Sequence, residues 1–497
     1  MELVTGFPDE LVQFFNRPPP HSLILRGAPG TGKSLLALAL IESFPGQRIY
    51  VSSRVPRSQL TLEIPSFRRL TEAGQLSVVD MSANGADLPT ASRSLGSALR
   101  IVEPEDAAAD LRALLLPPEV LEAWSRASSS TPTLVVLDSW DAIIERHVGA
   151  AGKVDGSLPS REDLERIALA QMARGPVVLV MVVEREGAGQ LEYLVDGILT
   201  VEREIQNDRT ERWLRIEKLR GTRIGHSSYP FSLDGGRFRP IVPLRMDRRP
   251  PSPRGEPSPG PSAGRIWPGS ADYASFFGWI PVGKITLIET DLNVPNAAVR
   301  MLLAPIVNSV VAGGGRVLHL PPPGMQPTEL WNVYQGATSR ETFLRQVRIF
   351  CPGQSGEPDE LAQVRLPMPS SNTVGHEYRI PEAMSFLKEN SDPGKPNLAS
   401  LSTAGMEAIN ELVPGALTAA RIPSVALNYL HQSPLHEIFI GSAEDPITRV
   451  IRPMADIHVR VTYRDGRVFL HGIIPRTPSL VLAEGDDQAP YHLLLVV

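Results

Sequence analysis

Residues 27–34 read GAPGTGKS, between the apolar run His21–Leu25 and the Leu/Ala-rich stretch Lys33–Ser43. The spacing is that of a loop which wraps phosphate. Gly27, Gly30 and Gly32 let the backbone curl until successive N–H groups point inward at phosphate oxygens. The helix that should open at Lys33 adds its positive end. Lys33 supplies a point charge for the β- and γ-phosphates, and Ser34 a hydroxyl for Mg²⁺. Ala28, Pro29, Thr31 and Leu35 complete the loop and the first helical turn.

The rest of the first half fits a doubly wound sheet around that loop. Arg48–Ser52, Leu76–Val79, Leu134–Leu137 and Val177–Val183 are short apolar runs, the pattern of strands buried on both faces. Ala107–Leu115 and Ser160–Ala173 read as helices between them, which predicts βαβ units. After Asp196 the pattern changes. Gly197–Val201, Trp213–Lys218 and Tyr229–Leu233 read as consecutive antiparallel strands. A second acidic element belongs at the end of a buried strand, and Asp138 follows Leu134–Leu137 there, placed to hold Mg²⁺ directly or through water.

At 497 residues the chain is too long for one ordinary domain, and two of roughly 200–250 residues are expected. The net charge of −6 gives no global attraction to nucleic acid or an anionic membrane. Cys351, the only cysteine, can form neither an intramolecular disulfide nor a cysteine zinc site, which points to a reducing compartment. It follows the strand-like run Gln346–Phe350 and reads as a buried structural thiol. The N-terminus lacks the apolar core of a signal peptide. The longest apolar run, Pro176–Val183, falls far short of the roughly 20 residues that span a bilayer, so the expected address is the cytoplasm, away from the membrane. Arg248–Arg265 reads RRPPSPRGEPSPGPSAGR and has the composition of a semi-extended linker. The expected division is therefore 1–244, a linker at 245–266, and 267–497.

Strand–GAPGTGKS–helix, then LVVLDSWDAI, VVEREGAGQLEYLVDGILTV and LRIEKLRGTRIGHSSYPFSL is an order that resembles KaiC-like members of the RecA superfamily. The resemblance covers the first half of the chain. It is most specific at Glu184–Arg185, at Tyr193–Gly197, and at KLRGT followed by YPF. The opening before the loop, the run IYVSSRVP and the stretch DSWDAI further resemble the archaeal gas-vesicle regulator family GvpD. The resemblance implies a RecA-like P-loop NTPase domain that binds ATP and Mg²⁺. Thr31, Lys33 and Ser34 would hold phosphates and metal, and Asp138 would be the second acidic element. Lys218 and Arg220 match the KLRGT pair, which in ring-forming relatives reaches the neighbouring subunit's nucleotide, as an arginine finger does. A homo-oligomer is implied with it. The histidine that follows this pair in KaiC is not matched: Ile224 stands at that position and His226 is the nearest histidine.

KaiC-like ATPases end their second strand in a glutamate pair that activates water. This chain has Val51, Ser52, Ser53, Arg54, Val55 and Pro56 instead. General-base catalysis contributes roughly 10²–10⁴-fold, so slow hydrolysis or none is expected. Asp141 and Glu145 are the candidate substitutes, with surface caps of the next helix as the other reading.

The second half repeats the plan without the site. Trp279–Thr290 reads WIPVGKITLIET and resembles the entry to a KaiC-type loop, but DLNVPNAAV follows, with neither glycine nor Gly-Lys-Ser/Thr. Asp291 has the wrong charge for phosphate and Pro295 removes a donor. Ala297–Val311 is the expected helix, Arg316–Leu320 the next strand, and Leu398–Leu401 the acidic strand, ending in Ser402 and Thr403. Ile457–Arg460 and Arg467–Ile473 are the expected terminal hairpin. This half reads as a degenerate, pseudo-ATPase α/β domain suited to docking a partner.

The favoured expectation is an ATP-dependent regulatory switch acting on a partner protein, which the GvpD resemblance makes a transcription factor. Two other readings stay open: a recombinase-like DNA-binding ATPase, and a scaffold stabilised by nucleotide. The basic stretch Arg203–Arg223 could dock protein or nucleic acid, yet it offers only Trp213 for base stacking.

Overall fold

The computed structural model describes residues 6–82, 132–151, 161–162, 165–166, 169, 176–184, 189–244, 264–335, 338–351, 359–367, 380–389, 395–412, 435–484 and 491–496. The expected helix Ala107–Leu115 and nearly all of the linker 245–266 lie outside these residues. The chain divides into two units, Met1–Val242 with Val496–Val497, and Pro243–Leu495.

The first unit is built on nine strands. They are β1 (His21–Arg26), β2 (Gln47–Ser52), β3 (Ser77–Asp80), β4 (Thr133–Asp138), β5 (Val177–Val183), β6 (Gly197–Gln206), β7 (Arg209–Leu219), β8 (Ser228–Ser232) and β9 (Arg239–Pro240). Their order is β3-β2-β4-β5-β1-β6-β7-β8-β9. The first six run parallel and the last three antiparallel, the switch that the sequence placed after Asp196. Continuous apolar runs become strands covered on both faces: all seven residues of β5 are buried. One core packs Leu36, Leu40 and Ile41 of the helix Lys33–Ser43 on one face of the sheet, and a second packs Trp140, Ile143 and Ile144 on the other. Of the expected helix Ser160–Ala173, the described residues Arg161, Glu162, Glu165, Arg166 and Leu169 are helical.

The second unit opens with a two-stranded ribbon, β10 (Arg265–Ile266) with β11 (Ile280–Pro281). Its main strands are β12 (Ile285–Thr290), β13 (Val317–Leu320), β14 (Val347–Cys351), β15 (Arg365–Pro367), β16 (Asn397–Ser402) and β17 (Leu435–Ser442). They continue as β18 (Ile457–Arg464), β19 (Arg467–Ile474), β20 (Leu480–Glu484) and β21 (Tyr491–Leu495). The order β15-β14-β13-β16-β17-β12-β18-β19-β20-β21 contains the first unit's order from β3 to β8, strand for strand and with the same directions. β12 therefore stands where β1 stands, and Ser402, the last residue of β16, stands where Asp138 does. The edge strands β15 and β21 extend the plan beyond the sequence expectation. Cys351 ends β14 as a buried thiol.

Buried ionisable groups in the second unit set its pH response. Burial holds His319 and His436 down to about 4 and pushes the Glu437 carboxyl up to about 8. Glu437 Oε2 has no hydrogen-bond partner among the described residues. Between pH 4.5 and about 8 the folded state keeps a proton on Glu437 that the unfolded state has lost, so stability falls as pH rises through that window. The histidines act oppositely: unfolded imidazoles protonate below about 6.5, and stability is lost as pH falls from there toward about 4. Glu437→Gln should remove the alkaline decline. Its urea midpoint relative to wild type should rise by the equivalent of a few kcal/mol between pH 5 and pH 8.5. An unchanged difference at the two pH values would show that Glu437 does not titrate on unfolding.

Candidate nucleotide site

β1 lies between β5 and β6, and its carboxyl end feeds the glycine loop at the edge where doubly wound sheets bind ligands. Gly27, Gly30 and Gly32 all take positive φ, at 151°, 75° and 109°. Thr31 Oγ1 donates to the Ala28 carbonyl at 2.9 Å and closes the turn. Lys33 Nζ donates to the carbonyls of Gly27 at 2.7 Å and Ala28 at 2.9 Å, so the ammonium sits inside the loop. Burial pulls its pKa below the ordinary lysine value, while the charges of Glu184 and Asp138 oppose that shift.

Asp138 ends β4, one strand away from β1 across β5. Its Oδ2 accepts from Ser34 Oγ at 2.6 Å and also from the Tyr50 hydroxyl. The fold thus joins the two halves of a metal–phosphate site that stand 104 residues apart. An ammonium within a glycine loop, a hydroxyl at the first helical turn and a carboxylate on that hydroxyl form the donor set that fits a nucleotide with its divalent cation.

One neighbour of the site was not singled out from sequence, and others make contacts that the sequence did not assign. Arg212 on β7 donates through Nη1 to the loop carbonyls of Gly30 at 3.0 Å and Thr31 at 3.1 Å, clasping the loop from the β6–β7 side. Arg54, at the position of the missing glutamate pair, forms an ion pair with Glu184 at 2.6 Å. Glu184 follows β5, and its N–H donates to Asp141 Oδ2 at 2.8 Å. Asp141 is 2% exposed and also takes Arg161 Nη2 at 2.6 Å. It is therefore a buried clamp on the end of β5 and not a surface cap. Glu145, one turn on, is exposed. The only sequence sign of the Arg54–Glu184 pair was the position of each charge just beyond a buried strand.

Lys218 and Arg220 lie at the end of β7, held by the β6 approach rather than by the glycine loop. Lys218 Nζ donates to the Glu192 carbonyl at 2.8 Å, and Arg220 pairs with Asp196 at 3.3 Å. Beside them Tyr193 is 81% exposed, a large aromatic face on the outer surface of the unit. In the basic stretch, Arg215 is neutralised by Glu202 and Glu204 at 2.5 and 2.6 Å. Trp213 is buried and offers no face for a base.

The same place in the second unit is chemically reversed. No residue from Asp291 to Pro295 takes positive φ. Asp291 accepts from Arg460 at 2.5 Å, and the buried Glu289 gathers Arg452, Arg460 and His458. The loop presents a carboxylate where the first unit presents N–H groups and an ammonium.

Fold and site together define a KaiC-like P-loop domain of the RecA superfamily, followed by a degenerate copy of the same α/β plan. Within that class the chain resembles GvpD: residues 11–217 match the family described as GvpD gas vesicle protein, P-loop domain. Protein GvpD2 of Halobacterium salinarum is 27% identical over 505 residues, covering 98% of this chain and 95% of that protein. Protein GvpD1 of the same organism is 31% identical over 250 residues, 48% of this chain and 41% of that protein. The circadian clock oscillator protein KaiC of Acaryochloris marina is 23% identical over 263 residues, 50% of this chain and 45% of its own length. Among the described residues no helix is long and apolar enough to cross a membrane.

Proposed function

We propose that this chain is an ATP-binding regulatory protein whose first unit acts as a nucleotide switch on a protein partner. The contact that carries this reading is Ser34 Oγ on Asp138 Oδ2 at 2.6 Å, with the Lys33 ammonium in the adjoining loop. Lys33 and the N–H groups of Gly30–Ser34 would hold the phosphates, and Ser34 with Asp138 would hold Mg²⁺, which would supply charge neutralisation at the phosphate oxygens. Arg212 fixes the loop. Residues 1–244 form the nucleotide unit, 245–266 a linker, and 267–497 a partner-docking unit that binds no nucleotide. The GvpD relatives suggest regulation of gas vesicle formation through a cytoplasmic partner protein. The buried Trp213 and the neutralised Arg215 weigh against a DNA-binding recombinase.

Two expected results separate this switch from a fast motor. Turnover should stay below about 1 s⁻¹, the low end of the ordinary enzyme range, because Arg54 occupies the water-activating position and is paired with Glu184. A faster steady-state rate would require an unrecognised base. Nucleotide should also promote self-association, with Lys218 and Arg220 reaching the neighbour's phosphates. Size exclusion with light scattering, with and without MgATP, tests the whole reading. Wild type should assemble with nucleotide and Lys33→Ala should not. The Lys218→Ala/Arg220→Ala double variant should bind MgATP as a monomer but assemble poorly, since such surface changes alter stability by about 0.5 kcal/mol or less. Normal assembly of the double variant would exclude the in-trans contact.

A further inference from the structure

The second unit has lost its phosphate loop but has kept a cavity at that end of the sheet. The cavity has a volume of about 520 Å³ and lies at the carboxyl ends of β12, β13, β16 and β17, the position of the nucleotide site in the first unit. That volume is in the range of small-molecule sites, roughly 300–1,000 Å³. One wall is Val299, Leu303 and Val307 of the helix Asn296–Ala312. The facing wall is Leu330, Val333 and Tyr334 of the helix Pro327–Tyr334. The sheet supplies a polar floor. His319 Nε2 and the Tyr334 hydroxyl share a hydrogen bond at 2.6 Å. Ser400, 5% exposed, brings to the cavity a hydroxyl that has no hydrogen-bond partner among the described residues.

The rim decides the sign of charge that can enter. Among the described residues its only cation is Arg300, which is paired with Glu329 at 3.0 Å. Its carboxylates are Asp291, Glu407, Glu444 and Asp445. Arg460 neutralises Asp291 and leaves the other three without an ion pair among the described residues. Burial, and after it the like charge of Asp445, holds the Glu407 carboxyl above its ordinary value. The floor adds no positive charge, because burial keeps His319 neutral down to about pH 4. A phosphate would meet carboxylates here and no backbone nest.

We propose that this cavity binds a small molecule with a largely apolar body and one protonated amine, the body between the two helices and the amine at the acidic rim. This is a second ligand site, chemically opposite to the nucleotide site and separate from it. The observations that carry it are the apolar walls, the unpartnered buried Ser400 hydroxyl and the excess of rim carboxylates.

Two probes sharing one fluorophore test the proposal on the full chain at pH 7.5: dansylcadaverine, which ends in an amine, and dansyl-6-aminohexanoate, which ends in a carboxylate. Dansylcadaverine should bind saturably with enhanced, blue-shifted emission. The carboxylate probe should bind at least about tenfold more weakly. Leu303→Trp fills the cavity and should weaken the amine probe by at least about tenfold while MgATP binding is unchanged. Should that variant misfold by circular dichroism, Val299→Phe on the same wall carries the test. Glu407→Gln/Glu444→Gln should reduce the preference for amine over carboxylate by about fivefold. Absence of saturable binding, equal binding of the two probes, or binding unaffected by the folded cavity-filling variant would overturn the proposal.

Discussion

Lys33→Ala is expected to raise the dissociation constant for MgATP by about 10²–10³-fold while leaving the chain folded. Lys33 is 7% exposed and its ammonium is held by two loop carbonyls, so it already occupies the interior of the phosphate cradle. Hydrogen bonds to charged groups are each worth about 1.5–3 kcal/mol, and a lysine spanning two phosphates makes more than one of them. The effect on stability should be small because two changes oppose each other. The carbonyls of Gly27 and Ala28 lose a donor, and a desolvated ammonium disappears, the burial that lowers the lysine pKa. Titration calorimetry measures the affinity and a urea midpoint reports the fold. Affinity within about threefold of wild type would mean that phosphate is held elsewhere. Loss of affinity together with a collapsed midpoint would mean that Lys33 is a structural residue.

The residues of the cradle were legible because each carries its signal locally. Gly27–Lys33 form a contiguous motif, and Asp138 follows an apolar run whose length and composition announce a buried strand. The duplicated plan was legible for the same reason, since strand runs recur in one order even where the loop chemistry is gone. Contacts between distant residues left no such trace. Tyr50 reaches Asp138 because β2 pairs with β4 in a register that sets Ser52 beside Asp138. The pair Arg54–Glu184 spans 130 residues and joins the ends of strands on either side of β4. Arg212 reads in sequence as one cation among several, and only the stacking of β7 beside β6 takes it to the carbonyls of Gly30 and Thr31. Asp141 is the instructive residue. A carboxylate in the first turn of a helix suggests a surface cap. Yet Arg161 neutralises it and the N–H of Glu184 bonds to it, and together these allow full burial. In the second unit the cavity was not visible at all, because its walls are ordinary helix residues and its volume depends on what the degenerate loop leaves unfilled.

Gly27→Ala should be the most damaging single substitution in the loop, and the reason lies in the sheet rather than in the phosphate. Gly27 has φ of 151°, and an added Cβ would lie 2.2 Å from the Val201 carbonyl oxygen and 3.0 Å from Thr31 Oγ1. Val201 belongs to β6, which is fixed between β1 and β7 by hydrogen-bonded ladders on both sides. Neither neighbour is the far end of a flexible side chain, so the methyl can be admitted only if the loop lifts from β6 or the strand shifts. Overpacking of this kind costs typically 1–3 kcal/mol, and a clash with backbone belongs at the upper end. The lifted loop would carry Lys33 and Ser34 away from Asp138. Gly30→Ala is the control, since its φ of 75° is also unfavourable to alanine, though nearer the left-handed region than the 151° of Gly27, and nothing lies within 4 Å of the new Cβ. It should lose only the left-handed penalty, about 1–2 kcal/mol, and keep MgATP affinity within about tenfold of wild type. Gly27→Ala should lose about 3 kcal/mol and show no saturable nucleotide binding. Urea midpoints and calorimetry on the two variants decide the matter. Equal losses in both would mean that backbone conformation alone sets the requirement for glycine. A larger loss in Gly27→Ala is the result expected from its φ of 151° together with the clash against the carbonyl of Val201.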